Sequence, residues 1–272
     1  MIVCKELNTE FETKEEMFKA LKENKHDIIA SKKSQIYKSF EKGIGVKSNK
    51  LDMSKLTSAS KDLFKDDNYH YIVVNTTGIL DSHNDLHVKG CFKKSSKEQN
   101  RKNALVDTHE MSLKNTIARR QDVEMFVADI PFSMIGKAYE GETQALIYKI
   151  AKDKIREAYK EFLEDGTDIE ASVRMQYVNI KLALNSDDDE DKEEKKTFDS
   201  SINQIANKAD FDNLKYFWVV SEAKNIGESS LVLQGSNHAT GVVNNNKIEP
   251  LKNTQDKENE AVKDTSHNSL LI

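Results

Sequence analysis

The stretch "DGTDIEASVRMQYVNIKLAL", Asp165 to Leu184, alternates apolar with polar side chains from Ile169 to Tyr177. A period of two predicts a β-strand with one apolar face and one polar face, and Ser172 falls on the polar face. After Tyr177 the apolar positions shift by one residue, to Val178 and onward. Such a phase change is typical of a β-bulge or a strong twist. We therefore expect a curled strand that carries a serine on its polar side.

Other segments predict further strands and one long helix. "YHYIVVNTTGIL" from Tyr69 and "VEMFVADIPF" from Val123 are rich in β-branched and aromatic residues and predict one strand each. "YFWVVSEAKNIGESSLVLQGSN" predicts two short strands around Gly227. "ETQALIYKIAKDKIREAYKEFLEDG" predicts a helix that ends at Gly166, with an apolar stripe made of Leu146, Ile150, Ile155, Ala158, Tyr159, Phe162 and Leu163. The expected class is a β-rich α+β domain over residues 66–242.

The flanks of that domain differ from it in composition. Residues 1–65 are polar and predict a helical N-terminal extension, in which Thr13 and Glu16 have the spacing of a capping box. Seven of the twelve residues in "NSDDDEDKEEKK" are acidic, which predicts a solvated loop inserted at residues 185–197. Residues 243–272 are rich in Asn, Lys, Glu and Ser and predict a disordered tail.

Composition limits the classes of function. The chain has 272 residues, and its 41 basic against 46 acidic residues give a net charge of -5, which argues against a general nucleic-acid interface. No apolar run approaches the roughly 18 residues that a membrane helix needs, so we expect no membrane association and a cytoplasmic location. The two cysteines, Cys4 and Cys91, are too few for a disulfide framework and are expected to be free thiols.

Two polar constellations could carry chemistry. In "DSHNDLHVKGCF" the side chains of Asp81, His83, Asp85 and His87 alternate, so on an extended chain they would share one face and could hold a metal, although a polar hairpin tip has the same pattern. In "ALVDTHEMSLKN" His109 stands where a strand meets a loop. A serine nucleophile needs an imidazole within hydrogen-bond reach and a third group that orients the ring. Spacing in the sequence does not show whether His109 and Ser172 meet.

Four motifs, in order, resemble the prohead (capsid maturation) serine protease family of tailed phages, whose fold is related to that of the herpesvirus assemblins. "GILDSHNDLHVKGCFKKS" resembles the family's opening motif, "LVDTHEM" its histidine motif, "IEASVRMQY" its serine strand, and "GESSLVLQGSNHATGV" its closing Glu-Val-Ser-Leu-Val strand. The resemblance extends from Tyr69 to Val242, about two thirds of the chain. It implies a barrel-like antiparallel sheet surrounded by helices, with the nucleophile on the outside of the sheet.

The resemblance also implies roles for residues. Ser172 would be the nucleophile, His109 the general base, and Glu228 the third member of a triad, with Glu222 and His238 left open as alternatives. The chemistry would need no cofactor and no metal. Arg174 departs from the family, which often has glycine two residues after the serine. Its larger side chain could narrow the substrate groove or supply positive charge to a developing oxyanion.

The implied function is a serine endopeptidase that acts in the host cytoplasm, inside the assembling phage prohead. Its partners would be the major capsid protein and the scaffold as substrates, with self-association as a further expectation and neither nucleic acid nor membrane as a ligand. It would also cleave its own N-terminal helix or C-terminal tail, segments that could be cut without unfolding the core. Two alternatives stay open: a catalytically inactive structural or scaffold protein of the phage head with the same fold, and a metal-dependent hydrolase that uses His83 and His87.

Overall fold

A computed structural model describes residues 1–35, 63–165 and 169–243. Within these ranges the chain is an α+β fold, with five α-helices, two larger β-sheets and one small hairpin. None of the helices in these ranges is both long and apolar enough to span a bilayer. Cys4 and Cys91 are both buried free thiols, as the cysteine count predicted.

Two long strands form the centre of the first sheet. Strand β9 (Glu170–Leu184) pairs antiparallel with β10 (Tyr216–Val232), which confirms the strand that the alternation predicted. Strand β10 is one long strand with a bulge at Gly227, so the prediction of two short strands there is wrong. The side chains of Ala171, Val173, Met175 and Tyr177 are all buried on the core side. The pairing register shifts between Val220 and Ala223, which lie opposite the predicted phase change in β9. The predicted apolar position Val178 is exposed, however, and the next buried apolar side chain of β9 after Tyr177 is that of Ile180.

Strand β10 also pairs with two short parallel strands. One of its segments lies beside β4 (Asp85–His87) and another beside β5 (Ala104–Asp107), and β5 continues to the antiparallel edge strand β6 (Thr116–Ala118). Helix α3 (Lys93–Glu98) follows β4 and packs against β10. Because β10 contacts three strands, it brings together segments that are far apart in the sequence.

The second sheet has four antiparallel strands in the order β11 (Gly241–Val243), β3 (Tyr69–Thr76), β8 (Glu142–Ala151) and β7 (Val123–Pro131). The prediction of one long helix over "ETQALIYKIAKDKIREAYKEFLEDG" is wrong for most of that segment. Residues Glu142–Ala151 form strand β8, short 3₁₀ turns follow, and only α4 (Lys160–Asp165) is α-helical. Apolar residues of β8 are buried on both faces between β3 and β7, and a strand buried on both faces resembles a buried helix in sequence. The predicted stop at Gly166 lies outside the described residues.

The expectation of a barrel-like antiparallel sheet is wrong in two respects for the described residues. The strands form separate sheets with no closed barrel, and the first sheet is mixed, since β10 pairs parallel with β4 and β5. Residues of both sheets, Ile72 and Tyr148 from one and Val173 and Trp218 from the other, belong to one buried apolar cluster. The sheets therefore pack face to face over a shared core.

The N-terminal segment is part of that core. A hairpin of β1 (Ile2–Cys4) and β2 (Thr9–Phe11) precedes helices α1 (Lys14–Glu23) and α2 (Lys25–Ser34), and the capping box at Thr13 and Glu16 is confirmed. Met17, Phe18 and Leu21 are buried in the same cluster as the sheet residues. The prediction that a protease could cut this helix without disturbing the core is therefore wrong for residues 1–35.

The acidic segment is mostly helical, so the prediction of a solvated loop is wrong. After a short 3₁₀ turn, α5 (Lys192–Ser201) packs on β9. Asp191 and Glu194 are buried and form salt bridges with Lys22 and Lys25 of the N-terminal helices. Basic partners from α1 and α2 thus offset the repulsion that the acidic run suggests. Residues 244–272, which hold nearly all of the predicted tail, lie outside the described residues.

Candidate active site

Three polar side chains, those of Ser172, Glu228 and Ser230, project from one face of the β9–β10 pair. Ser172 on β9 and Ser230 on β10 are register partners, and partners opposite each other in an antiparallel pair point to the same side of the sheet. Glu228 lies two residues before Ser230 on β10, so its side chain shares that face. Ser172 is 6% exposed, and Glu228 and Ser230 are fully buried. The predicted nucleophile is therefore shielded rather than displayed on the outside of the sheet.

His109 lies on a tight turn directly after β5, as the sequence predicted. Thr108 and His109 both have left-handed backbone conformations, with φ of 47° and 58°, which are unfavourable for residues other than glycine. Two hydrogen bonds to β10 hold the turn: the backbone N–H of His109 donates to Ser230 Oγ (2.8 Å), and that of Thr108 donates to the carbonyl of Leu231 (3.1 Å). The strained turn therefore places the imidazole over the face that carries Ser172.

The imidazole of His109 pairs with Glu228. Nδ1 lies 2.9 Å from Oε1 and 3.2 Å from Oε2 of the carboxylate, and both side chains are almost wholly buried. A carboxylate acceptor at Nδ1 places the ring proton on that nitrogen and leaves the lone pair on Nε2. Nε2 is buried and has no hydrogen-bond partner. One nitrogen is thus oriented by an acid, and the other is free to accept a proton.

Ser172, His109 and Glu228 are residue types from which an acyl-transfer triad can be built, and two of the three are already paired. The acid fixes the ring, the free nitrogen is a base, and the serine hydroxyl lies opposite the residue that holds the backbone of that base. The sequence predicted each of the three residues. In the structure His109 and Glu228 are in direct contact, while Ser172 lies on the same face of the sheet and makes no hydrogen bond to Nε2. In chain order the set is histidine, serine, glutamate. Strand β10 brings the three segments near one another, because it pairs with both β5 and β9.

A buried polar network supports the strand that carries Glu228. The register of β10 shifts between Asn225 and Ser229, and Gly227 within this bulge has a φ of 76°. The amide of Asn225 donates to the carbonyls of Glu228 (2.7 Å) and Arg174 (3.0 Å), and its oxygen accepts from the hydroxyl of Tyr148 (2.6 Å). Burial raises the pKa of Tyr148 above its ordinary value, so the phenol remains a donor.

Glu228 contacts His109, whereas Glu222 and His238, the alternatives for the residue that orients the imidazole, have other surroundings. Glu222 accepts from the amide of Asn179 (3.0 Å) and pairs with Lys94 (3.2 Å). Nδ1 of His238 is buried without a hydrogen-bond partner. Among the described residues the carboxylate that contacts His109 is that of Glu228.

The residues of the hypothetical metal cluster serve different purposes. Asp85 is buried and accepts from Lys32 Nζ (2.7 Å) and from the Tyr177 hydroxyl (2.8 Å). Burial lowers the pKa of His87 to about 3, and its ring packs beside Phe92 and Tyr177 in the core. Within the described ranges, no group of three or more His, Cys, Asp or Glu side chains is arranged to hold a metal ion. The cluster instead anchors helix α2 to the sheet through Lys32.

One residue of the site was missed by reasoning from the sequence. Ser230 holds the backbone of His109, and its hydroxyl donates in turn to the carbonyl of Val106 or Leu231, both at 3.1 Å. The spacing of Glu228 and Ser230 in "GESSLV" was the available signal, because residues two apart on a strand share a face.

Comparison with protein-family models, with curated proteins and with solved structures gives no match for this chain. The resemblance to the prohead proteases therefore rests on the four motifs.

Proposed function

We propose that the chain is a serine endopeptidase of the phage prohead protease kind, which processes capsid or scaffold proteins, and itself, during prohead maturation. The observation that carries the proposed chemistry is the His109–Glu228 pair, whose unpartnered Nε2 belongs to the same face of the sheet as the buried Ser172. The phage setting and the assemblin-like relationship are supported by the order and wording of the four motifs.

The proposed reaction follows the roles of the three groups. Ser172 Oγ attacks the carbonyl carbon of the scissile peptide bond while Nε2 of His109 takes the hydroxyl proton. The tetrahedral intermediate collapses when His109 returns that proton to the leaving amine, and an acyl-enzyme ester remains on Ser172. Water, deprotonated by the same nitrogen, then hydrolyses the ester. Glu228 holds the ring and stabilises the imidazolium that forms in each half of the reaction.

A second candidate function is a structural head protein that keeps the fold without the chemistry. The low exposure of the site favours this candidate, because Ser172 and His109 are only 6% and 5% exposed. A peptide carbonyl must reach Ser172 Oγ for turnover, so an active enzyme would have to open this face. Labelling of the serine by a small electrophile distinguishes the two candidates.

The test combines labelling with intact mass. Wild type, Ser172→Ala, His109→Ala and Ser201→Ala are treated with a fluorophosphonate, and each is also co-expressed with the capsid protein proposed as its substrate. Ser201 is a suitable control because it is buried to a similar degree but lies in α5, outside the site. We expect a phosphonyl adduct on Ser172, and fragments of the capsid protein or of the chain itself, in wild type and Ser201→Ala only.

Two results would contradict the proposal. A wild-type chain that stays unlabelled and leaves the capsid protein whole favours the structural candidate. Fragmentation that persists in Ser172→Ala assigns the cleavage to another residue or to a contaminating protease. Self-cleavage at the C-terminal end stays a prediction, and the same mass spectra would locate it.

A further inference from the structure

Arg174 places a guanidinium beside the proposed nucleophile. Arg174 and Ser172 lie two residues apart on β9, so their side chains share a face and are separated by roughly 7 Å along the strand. Nη1 of Arg174 is 2.7 Å from the sulfur of Met111 and lies 3.5 Å from the position that a Cβ on Gly227 would occupy. The guanidinium therefore sits between the turn that carries His109 and the bulge that precedes Glu228.

This guanidinium lacks a charged partner. Nε of Arg174 is buried without a hydrogen-bond partner, and in the described part of the chain no carboxylate lies within 4.0 Å of its nitrogen atoms. Its polar contact through the side chain is the thioether of Met111, which is a weak acceptor. Nε is thus a buried donor without an acceptor, which is costly, and a ligand that accepts a hydrogen bond from it would remove that cost.

Glu170, on the other side of Ser172, provides a contrast. It shares the same face of β9, but its carboxylate accepts from the backbone N–H of Gly235 (2.6 Å) and lies 3.7 Å from Lys137 Nζ. Burial lowers the pKa of Lys137, while the nearby Glu170 opposes that shift. The two charged neighbours of Ser172 therefore differ: the acid is neutralised within the protein, and the base is not.

We propose that Arg174 binds a carboxylate of the substrate, the side chain of an aspartate or glutamate within a residue or two of the scissile bond. This inference rests on the proposed function. A guanidinium presents its donors in a planar fork that matches a carboxylate, and such charge-assisted pairs are the strongest hydrogen bonds of this type. A Cβ on Gly227 would lie 3.2 Å from Cε of Met111, so an incoming acid has to displace the Met111 side chain to reach the guanidinium. Met111 is 48% exposed and would yield its contact with Nη1 to the stronger acceptor.

An oxyanion role for Arg174 makes a different prediction. A cation that stabilises the tetrahedral intermediate acts on every substrate alike, since each develops the same negative charge. A cation that recognises a side chain affects acidic substrates selectively. Comparison of matched peptides therefore separates the two roles.

The experiment first identifies cleavage sites in a randomised decapeptide library by mass spectrometry of the products. It then compares two peptide substrates that differ only by Glu or Gln at the position where the library shows a preference for an acid. The enzymes are wild type, Arg174→Gln, Arg174→Glu and Lys224→Gln. Lys224 is an exposed residue of β10, and its substitution removes the same charge outside the site.

We expect wild type and Lys224→Gln to cleave the Glu peptide with a kcat/KM about 10- to 100-fold above that of the Gln peptide. Arg174→Gln should lose this preference, and Arg174→Glu should prefer a Lys peptide instead. Binding of the same fluorescent peptides to Ser172→Ala, with and without Arg174→Gln, should show the same preference in Kd without any turnover.

The outcomes separate this inference from the proposed function. Efficient cleavage by wild type with no preference for acids overturns the inference and leaves the protease intact. An equal loss on all peptides in Arg174→Gln also overturns it, in favour of the oxyanion role. A library that wild type leaves uncut, together with an unlabelled Ser172, contradicts the proposed function and this inference with it.

Discussion

Replacing Ser230 by alanine should disable the proposed base with little loss of stability. The substitution removes the acceptor of the His109 backbone N–H, a buried bond of 2.8 Å. An unpaired buried donor costs about 1–3 kcal/mol. The left-handed conformations of Thr108 and His109 cost about 1–3 kcal/mol each, and relaxation of this turn would offset much of the lost bond.

The cost of the lost hydrogen bond and the relief of backbone strain oppose each other, so the turn either relaxes or keeps its conformation. If the turn relaxes, the free energy of unfolding falls by only about 1 kcal/mol, but the imidazole moves away from Ser172 and Glu228. A displacement of about 1 Å in a catalytic group lowers the rate by about 100-fold. If the turn keeps its conformation, the stability loss is nearer 3 kcal/mol and the reactivity of Ser172 survives. We expect the first outcome, because two adjacent strained residues favour relaxation.

The assay measures both quantities on the same protein. Urea unfolding gives the stability, and the second-order rate of fluorophosphonate labelling gives the reactivity of Ser172. Asn207→Ala is a matched control, because Asn207 holds the buried backbone of Leu80 through two hydrogen bonds of 2.9 and 3.0 Å away from the site. It should reduce stability and leave the labelling rate unchanged. A Ser230→Ala protein that labels within about threefold of wild type would refute the positioning role of Ser230.

Three further predictions concern the buried polar groups. Lys32→Met should lower the free energy of unfolding by about 3–5 kcal/mol, because it leaves Asp85 buried without its cation, and an unchanged urea midpoint would contradict this. Burial and the neighbouring Asp85 raise the pKa of Asp81 from 3.8 to about 8, so the folded state holds a proton that the unfolded state releases, and stability should fall as the pH rises through that window. Asp81→Asn should flatten this decline in urea titrations, and parallel curves for the two proteins would count against it. Tyr148→Phe should cost about 1–2 kcal/mol through the lost bond to Asn225, and calorimetry that shows no decrease in Tm would argue that the network is dispensable.

The sequence predicted the elements whose own residues set their structure. Strand β9 follows from its alternation, and the start of α1 follows from the capping box at Thr13 and Glu16. Strand β8 was misread as a helix because its apolar residues are buried on both faces, so they do not alternate with polar ones. Its extended form is imposed by β3 and β7, which flank it in the sheet.

The acidic segment was misread for a related reason. Lys22 and Lys25, the basic partners of α5 and its preceding turn, lie more than 160 residues earlier in the sequence and become neighbours only after folding. Acidic residues in the first turn of α5 also interact favourably with the partial positive charge of a helix N-terminus. Charge composition alone could not reveal either effect.

In the candidate site, too, the sequence predicted individual residues but not the contacts that depend on distant parts of the chain. The motifs predicted Ser172, His109 and Glu228 individually. The contact of His109 with Glu228, and the place of Ser172 on the same face, depend on β10 pairing with both β5 and β9. The support from Ser230 and Asn225 depends on the exact register and on the bulge, and periodicity in a single sequence does not fix either.

Strand β10 also determines when the candidate active site can form during synthesis of the chain. The ribosome makes His109 and Ser172 well before Glu228 and Ser230. Strand β5, which precedes the turn that carries His109, and strand β9, which carries Ser172, both lack their partner β10 until that strand has been made. Pairing over such sequence separations is slow compared with local folding. A nascent chain would therefore lack part of the proposed triad until most of the protein has been synthesised, and a protease built this way would be inert while it is being made.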